Sequence, residues 1–375
     1  MRARPHRLER LPEQYFARLL ARVAEEAARD GQPLVDLGRG NPDVPAPPHV
    51  VEALAAGARQ ADAHGYAPFR GLPELKKAIA GRYRDVYGVE VDPAREVAVL
   101  PGSKTGLIEF AHVAVERGDA IVLPDPGYPD YRSAVALTAA AHVPLPLAAD
   151  GRPDWDAAPS EAAALYLNYP SNPVAVAAPA GVFAEAVEWA RRAGGWVLHD
   201  FAYGDLVFDG RKPASFLAEE GAREVGIELF SMSKSYGMAG WRLGFAVGNA
   251  ELVARLEELQ SHIFAGVFRP VQEAGIAALT GPQDTVEERR ALYEARRDRT
   301  LAALAGVGAR SEGTFFVWLR LPDGVGAERL LAEHRVAVAP GEGFGERGRG
   351  WARLSLAVAD ATLDEGLARL RAALA

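Results

Sequence analysis

Apolar residues fall in short runs separated by helically spaced stretches along most of the chain. The runs Arg95–Leu100 (REVAVL), Ala120–Leu123 (AIVL), Ala163–Leu167 (AALYL), Trp196–His199 (WVLH) and Gly226–Phe230 read as buried strands, being short and apolar throughout rather than alternating. Thr105–Glu116 and Ala180–Arg192 between them carry helical spacing. This alternation predicts an α/β fold with a mostly parallel sheet covered by helices on both faces. The rhythm changes near Ala250. Glu251–Leu259, Val271–Leu279 and Val286–Leu304 continue as helices, whereas Thr314–Leu319, Val336–Ala339 and Ala352–Leu356 read as strands of a smaller mixed unit. Ala361–Leu374 closes the chain as an amphipathic helix, and Leu11–Ala28 near its start is also helical. The expected organisation is an N-terminal segment (1–45) packing on a smaller α+β C-terminal domain (285–375), with a large α/β domain (46–284) between them. No repeat or low-complexity linker interrupts this pattern.

Composition narrows the function classes. The chain has 375 residues, 49 % hydrophobic and 25 % charged, which is ordinary for a folded globular protein. Its net charge of −8 lacks the basic footprint of a nucleic-acid binder. Cysteine is absent, which excludes disulfides, thiolate metal sites and cysteine nucleophiles; no metal site is expected. No apolar run reaches the roughly 20 residues that span a bilayer. The opening MRARPHRLER has no apolar core behind its charges, so no signal peptide is expected and the expected location is cytoplasmic. Lysine is scarce: Lys76, Lys77, Lys104, Lys212 and Lys234 are five of 42 basic residues.

Against that background Lys234 stands out. It lies in Ser231-Met-Ser233-Lys234-Ser-Tyr-Gly-Met-Ala-Gly-Trp-Arg242-Leu-Gly244, directly after a strand. Hydroxyls, a lysine in an apolar, glycine-rich context and a following arginine suit an anionic ligand beside a partly desolvated, reactive amine. Asp200 and Tyr203 follow the strand Trp196–His199, at the edge where α/β sheets place ligand-binding groups. Asn168-Tyr-Pro-Ser-Asn172-Pro-Val-Ala175 follows another strand. Leu100-Pro-Gly102-Ser103-Lys104 is a strand–glycine turn–helix junction, whose free N–H groups suit a phosphate. Taken singly, each has a plainer reading: a loop lysine, a capping aspartate, Asn-Pro turns, a glycine turn, a core tyrosine.

Together and in this order they resemble the class I/II aminotransferases of fold type I, which use pyridoxal 5′-phosphate. The resemblance covers roughly residues 8 to 374. It implies that Lys234 carries the cofactor covalently, that Ser103, Lys104, Ser231, Ser233 and Arg242 surround its phosphate, and that Asp200 pairs with its ring nitrogen. It further implies that Tyr203 and Asn172 bond the ring 3-oxygen and that Tyr128, in Pro124-Asp-Pro-Gly-Tyr128-Pro-Asp-Tyr131, stacks on the ring. Lys234, Asp200 and Tyr203 are the catalytic set. Asp36-Leu-Gly38-Arg39-Gly40-Asn-Pro-Asp43 resembles the segment that crosses the active site, which together with Asn172 and Arg353 makes the substrate contacts, Arg353 matching the residue that binds the α-carboxylate. Tyr66 matches a tyrosine that reaches the phosphate of a neighbouring subunit, so a homodimer is implied. One departure is that Val174-Ala175 stands where the family has Thr-Gly.

The implied activity is ping-pong transfer of an amino group from an L-amino acid to a 2-oxo acid such as 2-oxoglutarate. A carbon–sulfur β-lyase on the same fold is the alternative, and a non-catalytic regulator binding the same cofactor a remote one. Leu11-Pro-Glu-Gln-Tyr-Phe16 and Gly40-Asn-Pro-Asp43 are similar to the branch holding diaminopimelate, succinyl-diaminopimelate and aspartate aminotransferases. For a distal substrate carboxylate, Lys104 is the expected reader and Arg39 the alternative.

Overall fold

The computed structural model describes residues 4–374; Met1–Ala3 and Ala375, the extremities of the expected N-terminal segment and small domain, lie outside it. In chain order the strands are β1 (Val35–Asp36), β2 (Val97–Leu100), β3 (Ala120–Asp125), β4 (Ala141–Pro146), β5 (Ala164–Asn168), β6 (Trp196–Phe201), β7 (Gly226–Ser231), β8 (Gly244–Gly248), β9 (Ala309–Arg310), β10 (Phe316–Arg320), β11 (Val336–Ala337), β12 (Ala339–Pro340) and β13 (Trp351–Ser355). β2 to β8 form one seven-stranded sheet in the order β2-β8-β7-β6-β5-β3-β4. All its pairings are parallel except those of β8, which runs antiparallel to both neighbours.

Alternate residues of these strands feed two cores, as the strand period of two requires. Ala98, Leu100, Leu198, Ile227 and Leu229 face Leu107 and Phe110 of the helix Ser103–Ala114 and Leu252 and Leu256 of the helix Ala250–Ile263. Val97, Val99, Leu165, Val197 and Phe230 share the other core with Leu75 and Ile79 of the helix Pro73–Arg82 and Val182 and Val187 of the helix Val182–Ala193. Burial on both faces explains why these strands read as unbroken apolar runs.

Two strands of this sheet escape the hydrophobic pattern. β4 contains Pro144 and ends at Pro146. It lies at the sheet edge, where a missing N–H costs no ladder bond. β8 is bracketed by Gly244 and Gly248, glycines that read as turn signals. The helices Pro48–Ala58, Pro73–Arg82 and Tyr131–Thr138 are likewise additional.

The second sheet, β12-β13-β10-β9, is antiparallel throughout. The expected strand Val336–Ala339 is divided: β11 pairs in parallel with β1, while β12 pairs with β13. The β1–β11 pair therefore ties the N-terminal segment to the C-terminal part of the chain. The N-terminal helix begins at Tyr15 rather than Leu11, its first turn capped by the Gln14 side chain, which accepts from Phe16 N at 3.1 Å. Tyr15 donates to Pro340 O at 2.8 Å, fixing this helix against β12. Among the described residues no helix is long and apolar enough to cross a membrane.

Candidate active site

A cavity of about 340 Å³ opens at the C-terminal ends of β5, β6 and β7. It is roofed by Phe16, Leu19 and Leu20 of the N-terminal helix. Ser231 ends β7 and caps the single turn Met232–Ser235, its hydroxyl accepting from Ser233 N at 3.3 Å. This puts Lys234 into the cavity, its ammonium 5.2 Å from the Phe315 ring centroid and 5.8 Å from that of Tyr203. Burial, helped by the positive charges of Arg353 and Arg242 and opposed by Asp200, lowers its pKa from 10.5 to about 8. The turn is pinned from below by Arg289, which donates to Lys234 O at 3.2 Å, Ser235 O at 2.7 Å and Pro45 O at 2.8 Å.

Asp200 ends β6 beside Asn168 of β5. Its carboxylate accepts from Tyr131 Oη at 2.8 Å and Ala202 N at 3.3 Å. Burial raises its pKa, and these donors together with the nearby His199 and Lys234 charges pull it back. Asn168 closes the following turn: Nδ2 donates to Asp200 O at 2.8 Å and Oδ1 accepts from Asn172 N at 2.7 Å. Tyr203 is buried edge-on against Phe315 and Phe316.

The phosphate side is a cradle without room for side chains. Gly102 has φ +91°, and a Cβ there would stand 2.3 Å from Arg242 Nη2. A Cβ on Gly244 would stand 2.8 Å from Ser103 N. Ser103 opens a 12-residue helix, whose first N–H groups have no partner within the helix. Arg242 donates to Ala239 O at 2.7 Å and pairs with no carboxylate among the described residues. With Ser231 and Ser233 on the same wall, this donor set fits the phosphate of pyridoxal 5′-phosphate, and Lys234 and Asp200 stand on the cavity wall beside it.

Arg353 of β13 is only 1 % exposed. Nη1 donates to Asn172 Oδ1 at 2.8 Å and Nη2 to Gly38 O at 3.1 Å, while the guanidinium lies 3.9 Å from the Phe316 ring centroid. Its Nε has no partner and, among the described residues, no carboxylate balances its charge. A buried cation held only by neutral acceptors is incomplete without an anion, and a carboxylate would supply one.

The cavity thus gathers Gly38, Arg39, Ser103, Lys104, Tyr128, Asn172, Asp200, Tyr203, Ser231, Ser233, Lys234, Arg242 and Arg353. Tyr66 is not among them; it is 88 % exposed. Lys104 lines the cavity with its ammonium 2.8 Å from Asp130, whose other oxygen accepts from Gln14. Three contributors escape sequence reasoning. Tyr131 and Asn168 stand inside the motifs but reveal their bonds only across strands, and Phe16 ends a motif that resembles the family branch without pointing to the cavity it lines. Ala175, in place of the family's glycine, has φ +59°, a left-handed conformation that glycine adopts without strain.

Residues 32–370 match the family model for aminotransferase class I and II. The chain is 43 % identical to an L-glutamine–4-(methylsulfanyl)-2-oxobutanoate aminotransferase of Bacillus subtilis (strain 168), over 97 % of this chain and 95 % of that one. It is 41 % identical to an LL-diaminopimelate aminotransferase of Desulforudis audaxviator, over 98 % and 97 %. The substrate-bound structure of BacF from Bacillus subtilis superposes with a TM-score of 0.93 at 37 % identity, covering 99 % of this chain and 98 % of that one.

The depressed Lys234 pKa has a measurable consequence. Only the neutral amine attacks an aldehyde, so the rate at which the cofactor-free protein captures pyridoxal 5′-phosphate should rise with pH and level off above about 8. Borohydride fixation followed by peptide mapping should place the label on Lys234. A label on Lys104 or Lys212, or a rate still rising through the ordinary lysine range, would contradict the assignment.

Proposed function

This chain belongs to the class I and II aminotransferases, and from that premise we propose which residues carry the transfer and which amino acids they admit. It is a pyridoxal-phosphate enzyme that moves an amino group from an amino acid to a 2-oxo acid. The observation that carries the residue assignment is one cavity holding a lysine of lowered pKa, a buried carboxylate and a buried arginine with no anion. When bound, the cofactor supplies an electron sink for the charge that develops at the substrate Cα. Arg353, backed by Asn172, takes the substrate α-carboxylate and so fixes which Cα bond is presented. Asp200 would keep the ring nitrogen protonated, Tyr203 and Asn172 would bond the ring oxygen, and Tyr128 would pack on the ring. Lys234 would take the substrate Cα proton as base and return it as acid two atoms away, across the amino nitrogen. A single carboxylate cradle serves donor and acceptor in turn, hence the ping-pong order.

The test of this reading is a panel of amino donors with 2-oxoglutarate. Glutamate should form in step with donor consumption. Pyruvate released from cystathionine without any added oxo acid would favour the β-lyase instead.

For the far end of the substrate we favour Arg39 over Lys104. Lys104 is already balanced by Asp130, whereas Arg39 lines the cavity with no carboxylate partner among the described residues. The cavity that Arg353 and Arg39 share is also lined by Phe16, Leu19 and Leu20, apolar walls that suit an aliphatic stem. This supports donors and acceptors whose side chains end in a carboxylate or amide, and relatives named for glutamine and for LL-diaminopimelate fit that class. Arg39→Gln should raise KM for glutamate and 2-oxoglutarate about tenfold or more, the loss of a charge-assisted hydrogen bond of about 1.5–3 kcal/mol. Alanine should be nearly unaffected. A specific loss with Lys104→Ala instead would return the role to Lys104.

A homodimer is part of the same proposal. Tyr66 and Phe69 are exposed beside Ile263 and Phe268, and the two segments meet where a Cβ on Gly266 would stand 3.1 Å from Pro68 O. Such a clustered apolar edge around a tyrosine that serves no site of its own chain supports a second copy as its cover. Sedimentation should give a dimer, and Tyr66→Phe should weaken cofactor retention. A fully active monomer would refute this.

A further inference from the structure

Tyr131 ends the Pro124–Tyr131 motif three residues after Tyr128, opens the helix Tyr131–Thr138 and is 1 % exposed. Its hydroxyl donates to Asp200 Oδ2 at 2.8 Å. Its ring is held edge-on against Tyr128, at a centroid distance of 5.5 Å, and packs against Tyr166 at 5.4 Å. Tyr166 is itself anchored by donating to Leu107 O at 2.7 Å. The aspartate is thereby braced by a side chain that is neither exposed nor free to rotate, and the same ring backs Tyr128. We propose that Tyr131 is a positioning residue for the transfer: its hydroxyl holds one oxygen of Asp200 and keeps that carboxylate ionised and oriented for the cofactor nitrogen. This rests on the assignment of Asp200 above.

The physical need is plain. A carboxylate taken out of water holds its proton more tightly. A carboxyl that keeps its own proton cannot hold one on a pyridine nitrogen. Burial does push Asp200 upward, and the Tyr131 hydrogen bond is the largest opposing influence. Tyr131 remains the donor because burial and the Asp200 charge both raise its own pKa. The other ionisable groups facing Asp200 are His199 on its own strand, Lys234 on the lysine turn, and Tyr128, Tyr166 and Tyr203. None of these is a hydrogen-bond donor to its carboxylate in the structure. Among the described residues the only other donor is the Ala202 amide, longer at 3.3 Å.

Tyr131→Phe in the holoenzyme removes the hydroxyl and keeps the ring. The half-reaction with a saturating amino donor should slow about tenfold or more, as expected for loss of a charge-assisted bond. With nitrogen-15 in the cofactor ring, the nitrogen resonance should move from its protonated toward its neutral position at a pH where the wild type remains protonated. On an Asp200→Asn background the same substitution should change the rate by less than about twofold, because the residue acts through the carboxylate. A protonated nitrogen in both wild type and Tyr131→Phe, or an equal slowing on both backgrounds, would overturn this inference alone. An unprotonated nitrogen in the wild type would overturn the assignment of Asp200 and this inference with it.

Discussion

The guanidinium of Arg353 is buried, unopposed by any carboxylate of the described residues, and held by neutral groups from three distant stretches of chain. Asn172 comes from the turn after β5, Gly38 from the segment after β1, and Phe316 from the neighbouring strand β10. Burying a cation in this way is costly unless an anion arrives, so the fold holds it for a ligand. The requirement propagates outward. Gly38 must present its carbonyl, which the β1–β11 pairing and the Asp36 side chain, accepting from Gly38 N at 2.9 Å, both enforce. Gly40 must lack a side chain, since a Cβ there would stand 2.8 Å from the Phe316 ring.

The same cation acts across the cavity on Lys234. Arg353 and Arg242 share a small enclosed space with the amine, and like charges in a poorly hydrated site favour its neutral form. Asp200 opposes them. The site is therefore a balance in which two fixed arginines tune a lysine and one carboxylate offsets them, and the proposed transfer assigns the proton to the tuned amine. Arg289, reaching from the helix Asp284–Ala303 to the carbonyls of Lys234, Ser235 and Pro45, keeps that lysine turn in register with the segment that carries Gly38.

The departures from the family pattern leave this balance intact. Val174-Ala175 replaces Thr-Gly, yet Ala175 adopts the left-handed conformation a glycine would take, and its carbonyl accepts from Glu312 N at 2.7 Å and Gly313 N at 3.2 Å. The turn geometry is kept at some backbone cost rather than abandoned. Lys104 keeps its place in the glycine turn but spends its charge on Asp130, which leaves Arg39 as the unpaired cation at the cavity mouth.

How much was legible beforehand follows from how each signal is made. Buried parallel strands such as β5, β6 and β7 are apolar on both faces, so their existence is written in consecutive residues; so is the lysine turn, where Ser231, Ser233, Lys234 and Arg242 act within one short segment. β4 and β8 were hidden because proline and glycine mimic turns, and only a sheet edge or an antiparallel partner accommodates them. The division of Val336–Ala339 between two sheets, the Tyr131 bond to Asp200, the Lys104–Asp130 pair and the three-way grip on Arg353 join residues between 14 and 315 positions apart. Local composition decides the first group because propensity and burial act on neighbouring residues. Only the tertiary structure decides the second, because hydrogen bonds and charge pairs depend on which side chains the completed fold brings within about 3 Å of one another.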